Sequence, residues 1–305
     1  MRLNPQSIIN SRFGIGFALV LGRIMPTSLG YPLASWAAKY ISQRKSWNLI
    51  KAARLNQWVI SGQRLSAKEL DKAVHQAFDH TARCQFDLYR HIQNPLAMAG
   101  RVKESPAFEA LLKDYSGDPI PGKGILVLGM HVSNFDFLMH YIVTQGLRTL
   151  AITVSNPGSG YRWQNDLRAR SGLEIVPASK DTIRMAERRL QEGECVVSGL
   201  DRPVSGARYK PRFFGVPSAL PSFYVPIALR AKVPIVIVAA YKDDEDCYHI
   251  DLSEPIHLMP HDNRQAEIEA NAELVLAAAE KFILRAPTQW SMFYPVWPQL
   301  MSQVP

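Results

Sequence analysis

The hexapeptide His131-Val132-Ser133-Asn134-Phe135-Asp136 sets a base and a carboxylate five residues apart, directly after the apolar run 125–130. An imidazole at a strand end can take a proton from a hydroxyl group. A helix N-terminus close by disfavours its charged form and keeps the neutral base that such chemistry needs. Positions five apart on an ideal helix differ by about 140° and do not face each other. Pairing would therefore need His131 before the helix and Asp136 in its first turn. Ser133 as N-cap with Asp136 at N3 makes a capping box that allows this. The same box can be the whole reason for Asp136, and His131 can be a hydrogen-bonded histidine at a strand end. Spacing leaves the two readings even.

A second group, Gly199-Leu200-Asp201-Arg202-Pro203, follows another apolar run. Asp201 could orient His131 or a substrate hydroxyl, and Arg202 could hold a phosphate or a developing oxyanion. Acid-base neighbours at sheet ends also simply fasten loops. Phe213-Phe214-Gly215 suits the wall of an apolar pocket or a core-forming turn. Asn165 and Arg168 share a helical stretch and could point at a head group. Cys84, Cys195 and Cys247 are far apart with no CxxC pair, so neither a zinc site nor a disulfide framework is expected. No metal site is expected elsewhere.

Positioning these groups requires strand ends. The apolar pattern predicts strands at 125–130, 149–154, 174–177, 195–199, 233–240 and 247–252. Helices are predicted near 135–146, 161–171, 180–192, 221–231 and 264–286, with an earlier one over 66–94 capped by Ser66. The acidic stretch 241–246 reads as a solvated hairpin turn, and the turn-rich stretch 117–124 separates a helical start from the rest. The fold expected is α/β: a largely parallel central sheet covered by helices on both faces, with a helical N-terminal extension. The domains expected are a membrane-associating helical region, 1–104, and an α/β domain, 105–305.

Charge is distributed unevenly. The net charge is +8, yet residues 1–68 hold ten Lys or Arg and no acid, the first being Glu69. The run 13–25 is apolar apart from Arg23, and Trp36, Tyr40, Trp47 and Trp58 follow among the bases. A spanning helix needs about 20 apolar residues, and Pro26 closes this run too early. Basic, aromatic and short of a span describes an interfacial anchor on an anionic membrane surface. A helical subdomain with a solvated basic face is the plainer alternative. No nucleic-acid-binding pattern accompanies the bases, so no nucleic-acid partner is expected.

Together the motifs resemble the glycerolipid and glycolipid acyltransferase superfamily, nearest the branch of lipid A lauroyl/myristoyl and phosphatidylinositol mannoside acyltransferases. The matching positions are His131, Asn134, Phe135 and Asp136, then Asn165 and Arg168, then Asp201 and Arg202, then Phe213, Phe214 and Gly215. Pro287-Thr288-Gln289-Trp290-Ser291-Met292-Phe293, with Tyr294 and Trp297, closes the series. The five motifs keep the family's order over 105–298.

The resemblance implies that His131, oriented by Asp136 or Asp201, deprotonates an acceptor hydroxyl that attacks an acyl thioester. No cofactor is implied beyond acyl-CoA or acyl carrier protein as co-substrate. Asn134, Asn165, Arg168, Arg202 and the Phe213–Gly215 turn would bind substrate. The acceptor would be a membrane glycolipid or phospholipid precursor at the cytoplasmic face of the cell membrane. The Pro-glutamate-Gly-Thr-arginine block of the phospholipid branch is absent, which favours a glycolipid. A lipid or thioester hydrolase using water and a non-catalytic lipid-binding relative are the competing readings; no G-x-S-x-G elbow supports a serine hydrolase.

Overall fold

The computed structural model describes residues 16, 19, 20, 22–92 and 94–305. The first fifteen residues, with Arg2, Arg12 and the start of the 13–25 run, lie outside the described part.

Seven strands form the central sheet: β1 (Val102–Glu104), β2 (Ile125–Gly129), β3 (Thr149–Thr153), β4 (Glu174–Pro177), β5 (Cys195–Gly199), β8 (Ile235–Lys242) and β9 (Tyr248–Leu252). Their order is β1-β9-β8-β2-β5-β3-β4, parallel throughout except where β8 meets β9. β2 is central, between β8 and β5. It is apolar throughout because both its faces are buried. Leu126 and Leu128 join one core cluster while Ile125 and Val127 join the other, following the period-two alternation of a strand.

Helices cover both faces, as the sequence predicts. α5 (Pro106–Tyr115) and α6 (Phe135–Thr144) pack on the Val127 face; α8 (Lys180–Gln191), α9 (Tyr224–Ala231) and α10 (Arg264–Arg285) pack on the Leu126 face. α7 (Ser159–Arg170) leads into β4. A short hairpin, β6 (Arg212–Phe213) and β7 (Val216–Pro217), is an element that periodicity did not reveal. Two-residue strands carry no readable alternation.

The N-terminal third is helical: α1 (Thr27–Ser42), α2 (Asn48–Ile60), α3 (Ala67–His91) and the short α4 (Pro95–Ala99). α3 starts at the expected Ser66, whose side chain and Glu69 form a full capping box. At 25 residues this helix is about 37 Å long. Its Leu70 lies in one core cluster and its Cys84 and Leu88 in the other. α3 therefore passes the edge of the sheet, and its middle residues meet the loop after β2.

The 241–246 stretch needs one correction. The turn is there, but Tyr241 and Lys242 belong to β8 and are buried. The Lys242 ammonium reaches the buried Asp87 carboxylate of α3 at 2.9 Å and the Tyr31 hydroxyl of α1 at 2.8 Å. Burial opposes the charge on Lys242, but Asp87 outweighs it and raises the Lys242 pKa.

Candidate active site

β2 and β5 are parallel neighbours with Gly129 opposite Gly199. Two residues beyond that pair on each strand stand His131 and Asp201, at the carboxyl edge where open α/β sheets hold their ligands. The two side chains meet there. His131 Nδ1 is 2.7 Å from Asp201 Oδ1, and the His131 backbone N–H donates to Asp201 Oδ2 at 2.9 Å. Trp290 Nε1–H donates to the same Oδ2 at 2.8 Å. Asp201 is fully buried, and burial alone would raise its pKa. The adjoining His131 and the three donated hydrogen bonds outweigh that and hold it below the usual carboxylate range. With Nδ1 held by the carboxylate, Nε2 is the ring nitrogen left for chemistry. The imidazole is also edge-packed on Phe135, with centroids 4.5 Å apart.

Asp136 has a different partner. Arg168 Nε donates to its Oδ1 at 2.7 Å, Nη2 contacts the same oxygen, and Nη1 donates to Asn165 Oδ1 at 2.7 Å. Both Asp136 and Arg168 are buried. Of the two carboxylates that could orient His131, the structure pairs Asp201 with it and gives Asp136 to α7.

The predicted capping box is shifted by one residue. Ser133 has φ +50°, and the N-cap is Asn134, whose Oδ1 accepts from Phe137 N–H at 3.2 Å. Asp136 consequently stands at N2 and is released from capping. The left-handed turn at the buried Ser133 is held from two sides. Its N–H donates to Gln289 O at 2.7 Å, and its hydroxyl lies 3.0 Å from His80 Nε2 of α3.

The residues expected to bind substrate separate into two groups. Asn134 is buried, and its carboxamide donates to Cys84 O at 2.7 Å and Tyr248 Oη at 3.1 Å, so both its N–H groups are occupied inside the protein. Arg168 is likewise enclosed, and Asn165 orients it. Phe213 is fully buried, stacked on Trp297 at 5.6 Å and edge-on to Trp290 at 6.2 Å. Phe214 and Gly215, at φ +51° and +73°, make the β6–β7 turn. This motif packs behind Trp290, which in turn holds Asp201. Asn165, Phe214 and Arg202 are half-exposed, and of the two arginines in the set Arg202 is the one whose guanidinium is not buried.

Three contributors escaped the sequence reading. Trp290 lies within a quoted motif, but only the fold brings it to Asp201. His80 looked like one more helical residue. Asp87 accepts from the Tyr31 and Tyr248 hydroxyls at 2.8 and 2.6 Å as well as from Lys242. Its sequence signal was a charge in the apolar stripe between Cys84 and Leu88. Through Tyr248, whose hydroxyl also receives Asn134, that buried cluster is tied to the loop carrying His131.

A polar cleft of about 300 Å³ lies between α3 and the β8–β9 turn, lined by His75, Asp79, His80, Arg83, Lys242 and Gln289 among others. His131 and Asp201 are not part of its wall; the candidate site is their hydrogen-bonded pair at the carboxyl edge of the sheet. Among the described residues, no cluster of three or more His, Cys, Asp or Glu side chains could hold a metal ion.

His80 and His140 yield a pH prediction. Burial is the main cause lowering each to about 4, and His140 Nδ1 also meets the Ser171 hydroxyl at 2.7 Å. Between pH 4 and the unfolded value near 6.5, the unfolded chain binds more protons, so stability rises with pH across that window. Urea midpoints should be level above about pH 7. On acidification through the window, stability should fall by up to about 1.4 kcal/mol per pH unit for each histidine. A flat profile down to pH 4.5 would contradict their neutral burial.

No curated protein sequence matches the chain closely enough to be called a relative. A family model does match: residues 2–299 fit that of the bacterial lipid A biosynthesis acyltransferases. With nearly the whole chain covered, and an α/β sheet presenting the motifs at its carboxyl edge, the protein belongs to that family and is an acyltransferase acting on lipid.

Proposed function

We propose that the protein transfers a fatty acyl group from an acyl thioester to a hydroxyl of a membrane glycolipid, with His131 as general base. The observation that carries this reading is the His131–Asp201 hydrogen bond, which commits Nδ1 and leaves Nε2 to act. Nε2 takes the proton of the acceptor hydroxyl as its oxygen bonds to the thioester carbonyl carbon. The tetrahedral intermediate collapses with cleavage of the C–S bond, and the imidazolium returns the proton to the thiolate. Asp201 stabilises the transient imidazolium. The first turn of α6 leaves the N–H groups of Phe135 and Asp136 without intrahelical partners, suited to the developing oxyanion.

The acyl donor is acyl-CoA or acyl carrier protein. A glycolipid acceptor is favoured because the block typical of phospholipid acyltransferases is missing. Purified protein is incubated with radiolabelled acyl-CoA, or the acyl carrier protein thioester, and a total lipid extract, with His131→Ala as control. A labelled lipid made by wild type alone supports the proposal. Labelled free fatty acid, formed equally with and without acceptor, would mean a hydrolase instead. Lipid binding without any turnover would mean a binding protein.

The site is brought to its substrate at the cytoplasmic face of the membrane by α1. On this helix Leu29, Leu33, Trp36 and Tyr40 are all exposed, Trp36 by 66%, and their spacing of four, three and four puts them on one face. Exposed Lys39 on the same helix and Arg44, whose guanidinium lies 4.3 Å from the Tyr40 ring centroid, flank that stripe. No helix among the described residues is long and apolar enough to cross a membrane. An apolar stripe edged by bases suits insertion into an anionic interface. Leu33→Glu with Trp36→Glu should weaken co-sedimentation with anionic vesicles by at least about tenfold. The unfolding midpoint should not move, since both side chains already face solvent. Unchanged vesicle binding would remove α1 as the docking element.

A further inference from the structure

Arg202 follows the buried Asp201, yet its contacts are separate from the catalytic pair. Its guanidinium carbon lies 4.4 Å from the Tyr294 ring centroid and 5.3 Å from that of Tyr161, and Nη2 donates to the Tyr294 hydroxyl at 3.0 Å. Tyr161 is braced in turn by the buried Arg168, whose guanidinium carbon is 5.3 Å from the same ring. Arg168 is neutralised by Asp136, whereas Arg202 makes no ion pair among the described residues. An unpaired guanidinium fixed between aromatic faces keeps its in-plane N–H edge for an anion.

We infer that Arg202, clamped by Tyr161 and Tyr294, is a phosphate subsite at the rim of the active site, with the two tyrosines as positioning residues. Its polar contacts lead to Tyr294 and not to the imidazole, which suits a phosphate carried some way from the reacting carbonyl. That phosphate belongs either to the phosphopantetheine arm or nucleotide of the donor, or to the acceptor's head group. The inference rests on the acyl-transfer reading and deepens it.

Steady-state kinetics on Arg202→Gln, Tyr161→Leu, Tyr161→Phe and wild type, with acyl-CoA and phosphate-free acyl-pantetheine as donors, separate the cases. If the phosphate is the donor's, Arg202→Gln raises KM for acyl-CoA by about 10- to 100-fold and that for acyl-pantetheine by at least about fivefold less, with the loss falling on KM more than on kcat. If it is the acceptor's, KM for a phosphorylated acceptor rises with either donor and that for its dephosphorylated form does not. Tyr161→Leu should reproduce a smaller part of the KM effect, and Tyr161→Phe, which keeps the ring face, should restore it. A loss of kcat with every substrate at unchanged KM would overturn the phosphate assignment, and equal behaviour of the Leu and Phe variants would overturn the clamp.

Should wild type transfer no acyl group at all, the acyl-transfer reading fails and the subsite is read by equilibrium binding of coenzyme A and of glucosamine 1-phosphate. Binding of either by wild type and not by Arg202→Gln supports the subsite; no difference between the two proteins overturns it.

Discussion

Asp201→Asn is expected to lower acyl transfer by about 100- to 10,000-fold, close to the effect of His131→Ala, while the protein stays folded. The reason lies in the three donors around Asp201. His131 N–H and Trp290 Nε1–H both point at Oδ2, so an asparagine must put its carbonyl oxygen there. Its NH2 group then faces His131 Nδ1, which becomes an acceptor and leaves the proton on Nε2. That tautomer cannot take a proton from a hydroxyl. Acyl transfer measured beside the unfolding midpoint tests this. Near-wild-type turnover of Asp201→Asn would mean that His131 needs no carboxylate partner, and the orienting role given to Asp201 would have to be abandoned.

The second large effect is on stability. Asp136→Ala should destabilise the protein by about 3–5 kcal/mol, because it strands the Arg168 guanidinium with only 6% of its side chain exposed. Burial works against the charge of Arg168, and it is Asp136 that keeps the Arg168 pKa raised. Adding Arg168→Met to Asp136→Ala should recover much of the loss, since an apolar side chain asks for no counter-charge. Denaturant unfolding of the two single variants and the double variant gives the coupling directly. If Asp136 worked mainly on the imidazole, the single variant would instead be stable and inactive, and the double variant would regain nothing. The Arg168 variants also disturb the brace behind Tyr161, so activity in this series should be compared only among variants of matched stability.

The different partners of these two aspartates show where a linear motif stops being informative. His131 and Asp136 are conspicuous because they are close in sequence. Proximity along the chain does not set direction, and one residue in the left-handed region, Ser133, moves the cap to Asn134 and turns Asp136 toward α7. Asp201 lies seventy residues away and is brought to His131 by strand register. Likewise, Phe213 and Asn134 belong to the ordered motifs but are used inside the protein, where they hold Trp290 and the α6 cap in place.

Legible in the sequence were six of the seven strands of the central sheet, the helices between them and the sheet end at which the candidate site lies. Val/Ile/Leu-rich runs of five or six residues bounded by turn residues suit a strand buried on both faces, and helices alternating with them favour parallel order. Ser66 with Glu69 announced the start of α3 because a capping box is local chemistry. The motifs after β2 and β5 were legible for the same reason: residue type and position after a strand are properties of a short segment. The tertiary structure alone decided which groups meet. Strand order placed β5 beside β2 despite two intervening strands, and the path of α3 brought His80, Cys84 and Asp87 to the back of the loop that carries His131. Burial then settled which charges are spent within the protein. Asp136 pairs with Arg168 and Asp87 with Lys242, whereas Arg202 and His131 Nε2 are left for the substrate contacts we propose. Such assignments depend on partners far apart along the chain and on how completely water is excluded around each pair, and neither is a property of any short segment.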